Sequence, residues 1–407
     1  MAVLRGTDAI THCLKAMSVK RVYGLIGTSI VGFLDGLYEA RDTIRYISCR
    51  HEQVAGSMAD AEGRLTRRPG IVALHSGPGS LNAMISLANA AKDCSPVIAI
   101  TGSIKRRLQG CDGMLELDHV RVFRPICRAA FRVDDVRNIP TIFTEAWNAA
   151  MSGPGGPVLI EVPEDVWADR DDIDVASFNP TVPPPVPVAA DKIRHILERL
   201  HQAARPLILA GAGVSYTHAE KFLKQVVEHL HVPVVTTGNG RGALSERHPL
   251  ALGRAGYGGG NAVADEAMRR ADFILGIGCT MSDITTDSGL RRDRRKTVRR
   301  VFLHGLPHIF HAVFQQPIHQ HRQFMRRCRD GAFPANSPLD PVVKHCQRSF
   351  GLTRGLRRHP QCLRQPALPP TWRTLLPQNA NPARKRSSKL HSSAGFVFFR
   401  GLAQAAG

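Results

Sequence analysis

A glutamate at the start of a predicted helix is well placed for acid–base chemistry. Glu52 follows the short apolar run RYISC (45–49) and begins EQVAGSMADAEGRL (52–65), which has helical spacing and small side chains. If the apolar run is a strand of a parallel sheet, Glu52 lies at its carboxyl edge, where α/β folds place ligands. A desolvated carboxyl group there shares a proton with a ring nitrogen more readily than it ionises. The alternative is a surface glutamate that stabilises a helix N-terminus.

A glycine-rich turn follows in the next strand–helix unit. The strand GIVALHS (70–76) runs into HSGPGSLN (75–82). A Gly-Pro-Gly turn lets the backbone approach a flat ligand closely, and the helix after it offers free N–H groups. Ordinary strand-to-helix turns have the same features, so this turn by itself does not establish a site.

Strand and helix patterns alternate around these two segments. Near-continuous apolar strands such as PVIAITGS (96–103) and PVLIEVP (157–163) predict a parallel sheet covered by helices on both faces. The proline-rich FNPTVPPPVPVAA (178–190) predicts an extended linker. The strand PLILAGAGV (206–214) then begins a second α/β segment.

These patterns predict an α/β protein with two parallel-sheet, Rossmann-like domains and a disordered basic tail. The first domain spans residues 1–168, the linker 169–190, the incomplete second domain 191–290, and the tail of low order 291–407. The tail holds 23 of the 54 Lys and Arg residues but three of the 34 acidic residues, so the net charge of +20 arises there. Lys and Arg clusters attract phosphates, but no recognisable nucleic-acid-binding module accompanies them. We therefore do not expect a nucleic-acid partner.

Cysteine usage and hydropathy exclude several other classes. The nine cysteines are scattered singly without a C-x-x-C pair, which argues against a disulfide framework or a structural zinc site. No apolar run reaches 18 residues, and the N-terminus lacks an apolar stretch long enough for a secretory signal. We expect a cytoplasmic protein without a membrane span, and we predict no metal-ligating residues.

Taken together in order and spacing, these runs resemble a known family. RHEQ…MADAEGR, ALHSGPGSLNA and PVIAITG are similar to the pyrimidine-binding domain of thiamine-diphosphate enzymes. They resemble acetolactate synthase large subunits in particular, and also oxalyl-CoA decarboxylase and 2-hydroxyacyl-CoA lyase. The resemblance continues through RPLILAGAGVSYTHAE and DFILGIGCTMSD and covers residues 5–288. Colinear motifs over such a span make chance a poor explanation.

The resemblance implies an enzyme that acts on a small 2-oxo acid or an acyl-CoA substrate. Glu52 would hydrogen-bond the aminopyrimidine ring of thiamine diphosphate as the acid–base relay, while the cofactor acts as electron sink for decarboxylation. The matching positions near the cofactor or substrate channel are Gly27, Gly77, Pro78, Gly79 and Asn82.

The second segment resembles the central domain of this family, which holds FAD in acetolactate synthases and ADP or nothing elsewhere. Gly211, Gly213 and Arg254 would line such a site. A tight α/β turn without a ligand is the alternative, because isolated glycine turns are common.

One departure from the family pattern concerns the substrate. Many relatives carry an aromatic-Gln-Glu run after the fourth strand, where this sequence has Met114, Leu115 and Glu116. A leucine in place of an amide weakens a strict acetolactate synthase assignment. The segment RPICRAAFRV (124–133) favours the oxalyl-CoA branch slightly.

The sequence also departs from the family pattern in the part of the cofactor site that binds the diphosphate. The family binds Mg²⁺ and the diphosphate through a third domain with a Gly-Asp-Gly run, and the 407 residues contain no such run. We therefore expect a truncated enzyme with half of the thiamine diphosphate site, inactive alone. Since relatives pair the pyrimidine domain of one subunit with the diphosphate domain of another, we expect a homodimer or tetramer, or a partner chain that supplies the missing domain. The alternative is a non-catalytic pair of domains that binds a nucleotide or a partner.

The composition change near residue 290 predicts a reading-frame change in the gene. Beyond this point Glu is absent, and Arg, His, Pro and Gln rise, a composition that does not easily build a core. The alternative to a frame change is that residues 291–407 are a genuine basic extension of the protein. Translation of the two other frames downstream of the Leu290 codon is expected to give a Gly-Asp-Gly run followed by Asn. Its absence from both frames would reject the frame change.

Overall fold

Two parallel sheets, each flanked by helices, organise the described part of the chain. The computed structural model describes residues 2–181, 189–257, 260–286 and 297–301. A six-stranded sheet lies in the first domain and a five-stranded sheet in the second. The predicted α/β fold with two parallel-sheet domains is therefore confirmed. The disordered tail predicted for 291–407 lies outside the described residues, except for the short segment that ends the second sheet.

The first domain is built around the larger sheet. Its strands are β1 (Ala2–Arg5), β2 (Arg21–Gly24), β3 (Arg45–Ser48), β4 (Gly70–Leu74), β5 (Val97–Ser103), β6 (Ala129–Arg132), β7 (Pro157–Pro163) and β8 (Arg170–Ile173). Its α-helices are α1 (Gly6–Ala16), α2 (Val31–Glu39), α3 (Glu52–Thr66), α4 (Pro78–Asp93), α5 (His119–Phe123) and α6 (Ile139–Met151). The sheet order is β3-β2-β4-β5-β7-β6, with every pair parallel.

The two faces of this sheet are covered by side chains of different size. Large residues of α1, α2 and α6, among them Phe33 and Phe143, pack against one face. On the other face α3 and α4 contribute mainly alanines and leucine. Small residues allow close approach there, because a Cβ at Gly70 would lie 2.0 Å from the carbonyl oxygen of Ala59. Helix α3 therefore packs directly on the sheet.

A two-stranded antiparallel ribbon joins the ends of the first domain. Strand β1 pairs with β8, with Ala2 opposite Ile173 and Arg5 opposite Arg170. Ile173 and Phe178 are buried in the core of the first domain. The first domain therefore continues into the segment predicted as a linker over 169–190. The acid-rich sequence of β8 has no strand pattern. Pairing with β1, which is distant in the sequence, stabilises it as a strand.

The second domain contains the smaller sheet. Its strands are β9 (Pro206–Ala210), β10 (Val234–Thr236), β11 (Ala251–Arg254), β12 (Phe273–Ile277) and β13 (Thr297–Val301). Its α-helices are α7 (Ala190–Gln202), α8 (Gly213–Tyr216), α9 (Glu220–Leu230), α10 (Ala262–Arg270) and α11 (Asp283–Thr286). The order is β11-β10-β9-β12-β13, with all pairs parallel.

Strand β13 lies beyond residue 290, where the sequence patterns predict that regular structure ends. It pairs with β12 from Thr297 opposite Phe273 to Val301 opposite Ile277. The run TVRRV has two adjacent arginines and no continuous apolar stretch, so hydropathy alone does not identify it as a strand. The neighbouring strand supplies the hydrogen bonds that define it.

The two domains contact each other at the C-terminal ends of α3 and α4. Arg67, which follows α3, forms an ion pair of 2.9 Å with Glu220. Asp93 at the end of α4 accepts a hydrogen bond of 2.6 Å from Asn239. Helix α3 thus extends from the sheet edge to the domain junction. Among the described residues, none of the helices is both long and apolar enough to cross a membrane.

Candidate functional site

Glu52 is the first residue of α3 and lies where the chain leaves β3. His51 caps the helix, since its side chain accepts a hydrogen bond of 3.1 Å from the backbone N–H of Gln53. Glu52 itself is only 6% exposed. The predicted burial of this carboxyl group at the edge of the parallel sheet is confirmed, and its catalytic role stays a prediction.

The two carboxyl oxygens of Glu52 have different surroundings. Asn82 donates a hydrogen bond of 3.0 Å from Nδ2 to Oε2. The other oxygen, Oε1, has no hydrogen-bond partner among the described residues and faces the backbone of Gly79, where a Cβ would lie 3.2 Å from it. The structure thus brings together three of the predicted residues. It leaves one carboxyl oxygen available to a ligand.

The glycine-rich turn between β4 and α4 carries two further predicted residues. Gly77 has φ +63 and ψ −117, a conformation that a side chain would strain. Its backbone N–H donates to His119 Nε2 over 3.0 Å, and its carbonyl oxygen accepts from the Ser80 hydroxyl over 2.8 Å. Pro78 is exposed and occupies the first position of α4, where its missing N–H costs nothing.

Gly27 contacts the side chain of His75, which lies at the start of this turn. A Cβ at Gly27 would lie 2.3 Å from His75 Cγ, so the imidazole ring packs directly on the Gly27 backbone. His75 Nδ1 is 2.7 Å from the hydroxyl of Ser29. Burial lowers the pKa of His75, against a smaller opposing effect of Glu52. The ring is therefore neutral at neutral pH.

A second histidine supports the turn from the buried side. His119 is fully buried, and its Nδ1 lies 3.6 Å from Glu161 Oε2. Arg132 in turn donates to Glu161 Oε1 over 2.8 Å. His119 thus holds the turn through Nε2, while Glu161, paired with Arg132, lies beside its other ring nitrogen. Sequence reasoning missed His75, His119 and Glu161, because histidine in a turn and glutamate in an apolar strand have no periodic pattern of their own.

The loop between β5 and α5 lies over the same turn. Leu115 has φ +66, and its carbonyl oxygen accepts a hydrogen bond of 2.9 Å from the Ser76 hydroxyl. Glu116 stabilises the loop by accepting from the backbone N–H groups of Gly110 and Gly113 over 2.6 and 3.0 Å. The apolar side chain of Leu115 therefore stands beside the Gly77 turn, since its Cβ would lie 3.3 Å from a Cβ at Gly77.

The residues predicted for a nucleotide lie at the carboxyl ends of strands in the second domain. Gly211 donates to the carbonyl oxygen of Ile277 over 2.8 Å, and Gly213 donates to that of Gly278 over 3.0 Å. A Cβ at Gly211 would lie 2.1 Å from the Gly278 oxygen. Arg254 ends β11 and donates to the carbonyl oxygen of Tyr257 over 3.1 Å. The glycines thus fix a tight contact between the loops that follow β9 and β12.

Metal ligands do not converge in the described part of the chain. No group of three or more His, Cys, Asp or Glu side chains in these residues is arranged to hold a metal ion.

Two domains of one enzyme family match the chain on either side of the linker. The thiamine pyrophosphate enzyme N-terminal TPP binding domain matches residues 4–122. The thiamine pyrophosphate enzyme central domain matches residues 193–305. The chain therefore belongs to the thiamine pyrophosphate enzymes, as its sequence motifs predict. The second match extends past residue 288, where the resemblance read from the motifs ends.

Within this family the chain is similar to acetolactate synthases. It is 36% identical over 293 residues to the probable acetolactate synthase large subunit of Methanocaldococcus jannaschii, covering 70% of this chain and 48% of that protein. It is 32% identical over 298 residues to the acetolactate synthase isozyme 3 large subunit of Escherichia coli (strain K12), covering 71% of this chain and 50% of that protein. The chain thus spans about half the length of the curated relatives it matches.

Proposed function

We propose that the first domain binds the aminopyrimidine end of thiamine diphosphate and serves an enzyme of the acetolactate synthase type. Such an enzyme makes or breaks a carbon–carbon bond beside a 2-oxo carbonyl group. The observation that carries the proposal is the carboxyl group of Glu52, buried at the sheet edge, with Oε2 held by Asn82 and Oε1 facing a glycine backbone. A flat heterocycle fits against Gly79, because this position has no side chain to obstruct it.

The protein residues have separate tasks in this proposal. When bound, thiamine diphosphate supplies the electron sink for decarboxylation. Asn82 fixes the orientation of Glu52, so that Oε1 can hold a proton and exchange it with a ring nitrogen. Burial keeps bulk water from competing for that proton. His119 holds the Gly77 turn, which sets the distance between the backbone and the ligand.

Calorimetric titration tests the proposed half-site. We expect thiamine diphosphate and thiamine to bind with similar affinities, because the proposed half-site would contact the pyrimidine end and not the diphosphate. ADP serves as the matched ligand with a diphosphate but no aminopyrimidine ring. Binding of neither thiamine compound, or a much higher affinity for thiamine diphosphate than for thiamine, would contradict this assignment of the site.

We propose that the diphosphate and Mg²⁺ are held outside the described residues. Mg²⁺ requires oxygen ligands in near-octahedral geometry, and the sequence contains no Gly-Asp-Gly run. A partner chain of different sequence would supply those groups. The 407-residue chain alone is accordingly expected to be inactive towards pyruvate and oxalyl-CoA.

An exposed apolar surface on α3 and α4 supports association with another subunit. The surface consists of Val54, Met58 and Leu65 on α3 and Leu81 and Ile85 on α4, all exposed. Large apolar side chains grouped on neighbouring helices are typical of a protein–protein interface. We propose a homodimer or a tetramer that covers this α3/α4 surface.

The α3/α4 surface gives a prediction for oligomeric state. The double variant Val54→Asp and Ile85→Asp is expected to shift the chain to a smaller assembly, because two buried charges in an apolar interface are unfavourable. Sedimentation velocity measures the change. Tyr38→Asp, a substitution of an exposed side chain on α2, is the control. An unchanged assembly in the double variant would contradict the proposed interface.

A second candidate activity is that of an oxalyl-CoA decarboxylase or 2-hydroxyacyl-CoA lyase. The apolar side chain of Leu115 beside the Gly77 turn favours it, because an amide that could bind a second small polar substrate is absent from that position. Competition between coenzyme A and ADP for the second domain would separate this alternative from the acetolactate synthase type.

The second domain offers a candidate nucleotide site for FAD or ADP. Gly211, Gly213 and Arg254 lie at the carboxyl edge of its sheet, the edge where open α/β sheets bind ligands. A chain that binds ADP or FAD but no thiamine compound would instead be a nucleotide-binding pair of domains without catalysis.

A further inference from the structure

The hydrogen bonds around His75 determine which of its ring nitrogens carries the proton. The backbone N–H of Ser29, which can only donate, lies 3.4 Å from His75 Nδ1. The Ser29 hydroxyl lies 2.7 Å from the same nitrogen. This hydroxyl oxygen also accepts from the backbone N–H of Ser76 over 3.0 Å. The hydroxyl proton is therefore directed at Nδ1, which accepts, and the neutral ring carries its proton on Nε2.

Several contacts hold Ser29 in the position that this arrangement requires. Ser29 is buried, and the indole N–H of Trp167 donates to its carbonyl oxygen over 2.8 Å. Trp167 stacks on Phe33 with ring centroids 5.4 Å apart. A Cβ at Gly102 would lie 2.3 Å from the same carbonyl oxygen. The hydroxyl that selects the tautomer of His75 thus belongs to the rigid core.

The Nε2–H group of His75 has no protein partner among the described residues. The ring lies beside the proposed half-site, because a Cβ at Gly79 would lie 2.9 Å from His75 Cβ and 3.2 Å from Glu52 Oε1. His75 is partly exposed, whereas its neighbours Leu74 and Ser76 are buried. The side chain is therefore accessible to a small ligand, and its Cβ lies next to the half-site.

We propose that His75 is a substrate-binding residue whose Nε2–H donates a hydrogen bond to a carbonyl or carboxylate oxygen of a 2-oxo acid, an inference that rests on the proposed function. Glu52 presents a carboxyl oxygen, whereas His75 presents a donor. The pair therefore provides a proton-exchanging group for the cofactor and a separate oxygen-binding group for the substrate. A neutral donor binds this oxygen without transferring its own proton.

Nitrogen NMR of the histidine side chains tests the tautomer in the ligand-free chain. We expect His75 to show a protonated Nε2 and an unprotonated Nδ1 at neutral pH. In Ser29→Ala the two tautomers are expected to become mixed, because the hydroxyl that selects one of them is gone. A protonated Nδ1 in the unaltered chain would overturn the inference.

Pyruvate binding tests the proposed contact. With thiamine diphosphate present, the dissociation constant of pyruvate, followed by saturation transfer to its methyl group, is expected to rise about tenfold in His75→Leu, the effect of losing one hydrogen bond. His75→Gln retains an N–H donor and is expected to recover most of the affinity. His195→Leu, which alters an exposed histidine on α7, is the control.

The outcomes separate this inference from the proposed function. If thiamine diphosphate binds but pyruvate either does not bind or binds equally well to His75→Leu, the role of His75 is rejected and the half-site stands. If thiamine diphosphate does not bind to the unaltered chain, the proposed function itself is rejected. Equal weakening in His75→Gln and His75→Leu would indicate a packing role for the ring and would also overturn the inference.

Discussion

Replacement of Glu52 by leucine is expected to weaken thiamine binding by about tenfold to a hundredfold. The leucine side chain removes the hydrogen bond to the ring nitrogen, and hydrogen bonds to charged or proton-sharing groups contribute about 1.5–3 kcal/mol. It also leaves Asn82 Nδ2 without its partner at 3.0 Å. Isothermal titration with thiamine measures the loss, and circular dichroism verifies that the fold is retained.

Two glutamine variants make this experiment specific. Glu52→Gln keeps an acceptor for Asn82 and is expected to lose less affinity than Glu52→Leu. Glu145→Gln, on the exposed face of α6, makes the same chemical change far from the site and is expected to bind like the unaltered chain. Equal affinities for all of these variants would place the thiamine site elsewhere in the molecule.

Replacement of Gly211 by alanine is expected to destabilise the second domain by about 1–3 kcal/mol or more, the usual cost of overpacking. The new methyl carbon would lie 2.1 Å from the carbonyl oxygen of Gly278 and 2.6 Å from the Cα of Cys279. Both are backbone atoms, so the loops after β9 and β12 must separate. Hydrogen exchange of the amides in these two strands measures the loss locally.

Gly238→Ala is the matched control for this substitution. The nearest atom to its new methyl carbon would be Arg254 Nε at 3.5 Å, an ordinary contact with a flexible side chain. Exchange in the second domain is therefore expected to remain unchanged in Gly238→Ala. If both alanine variants behave alike, the close contact between the two loops does not stabilise the domain.

The sequence predicts much of the first domain because its strands are continuous apolar runs. β4, β5 and β7 are buried along their whole length, which fixes them in the middle of a parallel sheet. Glu52 could be predicted for a related reason, since it lies at the boundary between a strand and a helix. Boundaries of this kind meet at one edge of a parallel sheet.

The residues that were missed depend on contacts between distant parts of the chain. His119 and Glu161 become a pair only when α5 packs beside β7, and Ser29 approaches His75 only across the sheet edge. No local pattern encodes these distances. Strand β8 was not predicted for the same reason, because its hydrogen-bonding partner β1 lies at the other end of the domain.

The pairing of β1 with β8 also affects how the chain folds during synthesis. Ala2 leaves the ribosome long before its partner Ile173 is made, and at 5–20 residues per second the delay is roughly ten to thirty seconds. During this interval the first strand has no edge on which to pair, although α1, which follows it directly, can already form. Closure of the ribbon is thus a late event in the biogenesis of the first domain, and the backbone hydrogen-bonding groups of β1 remain unpaired with β8 until it occurs.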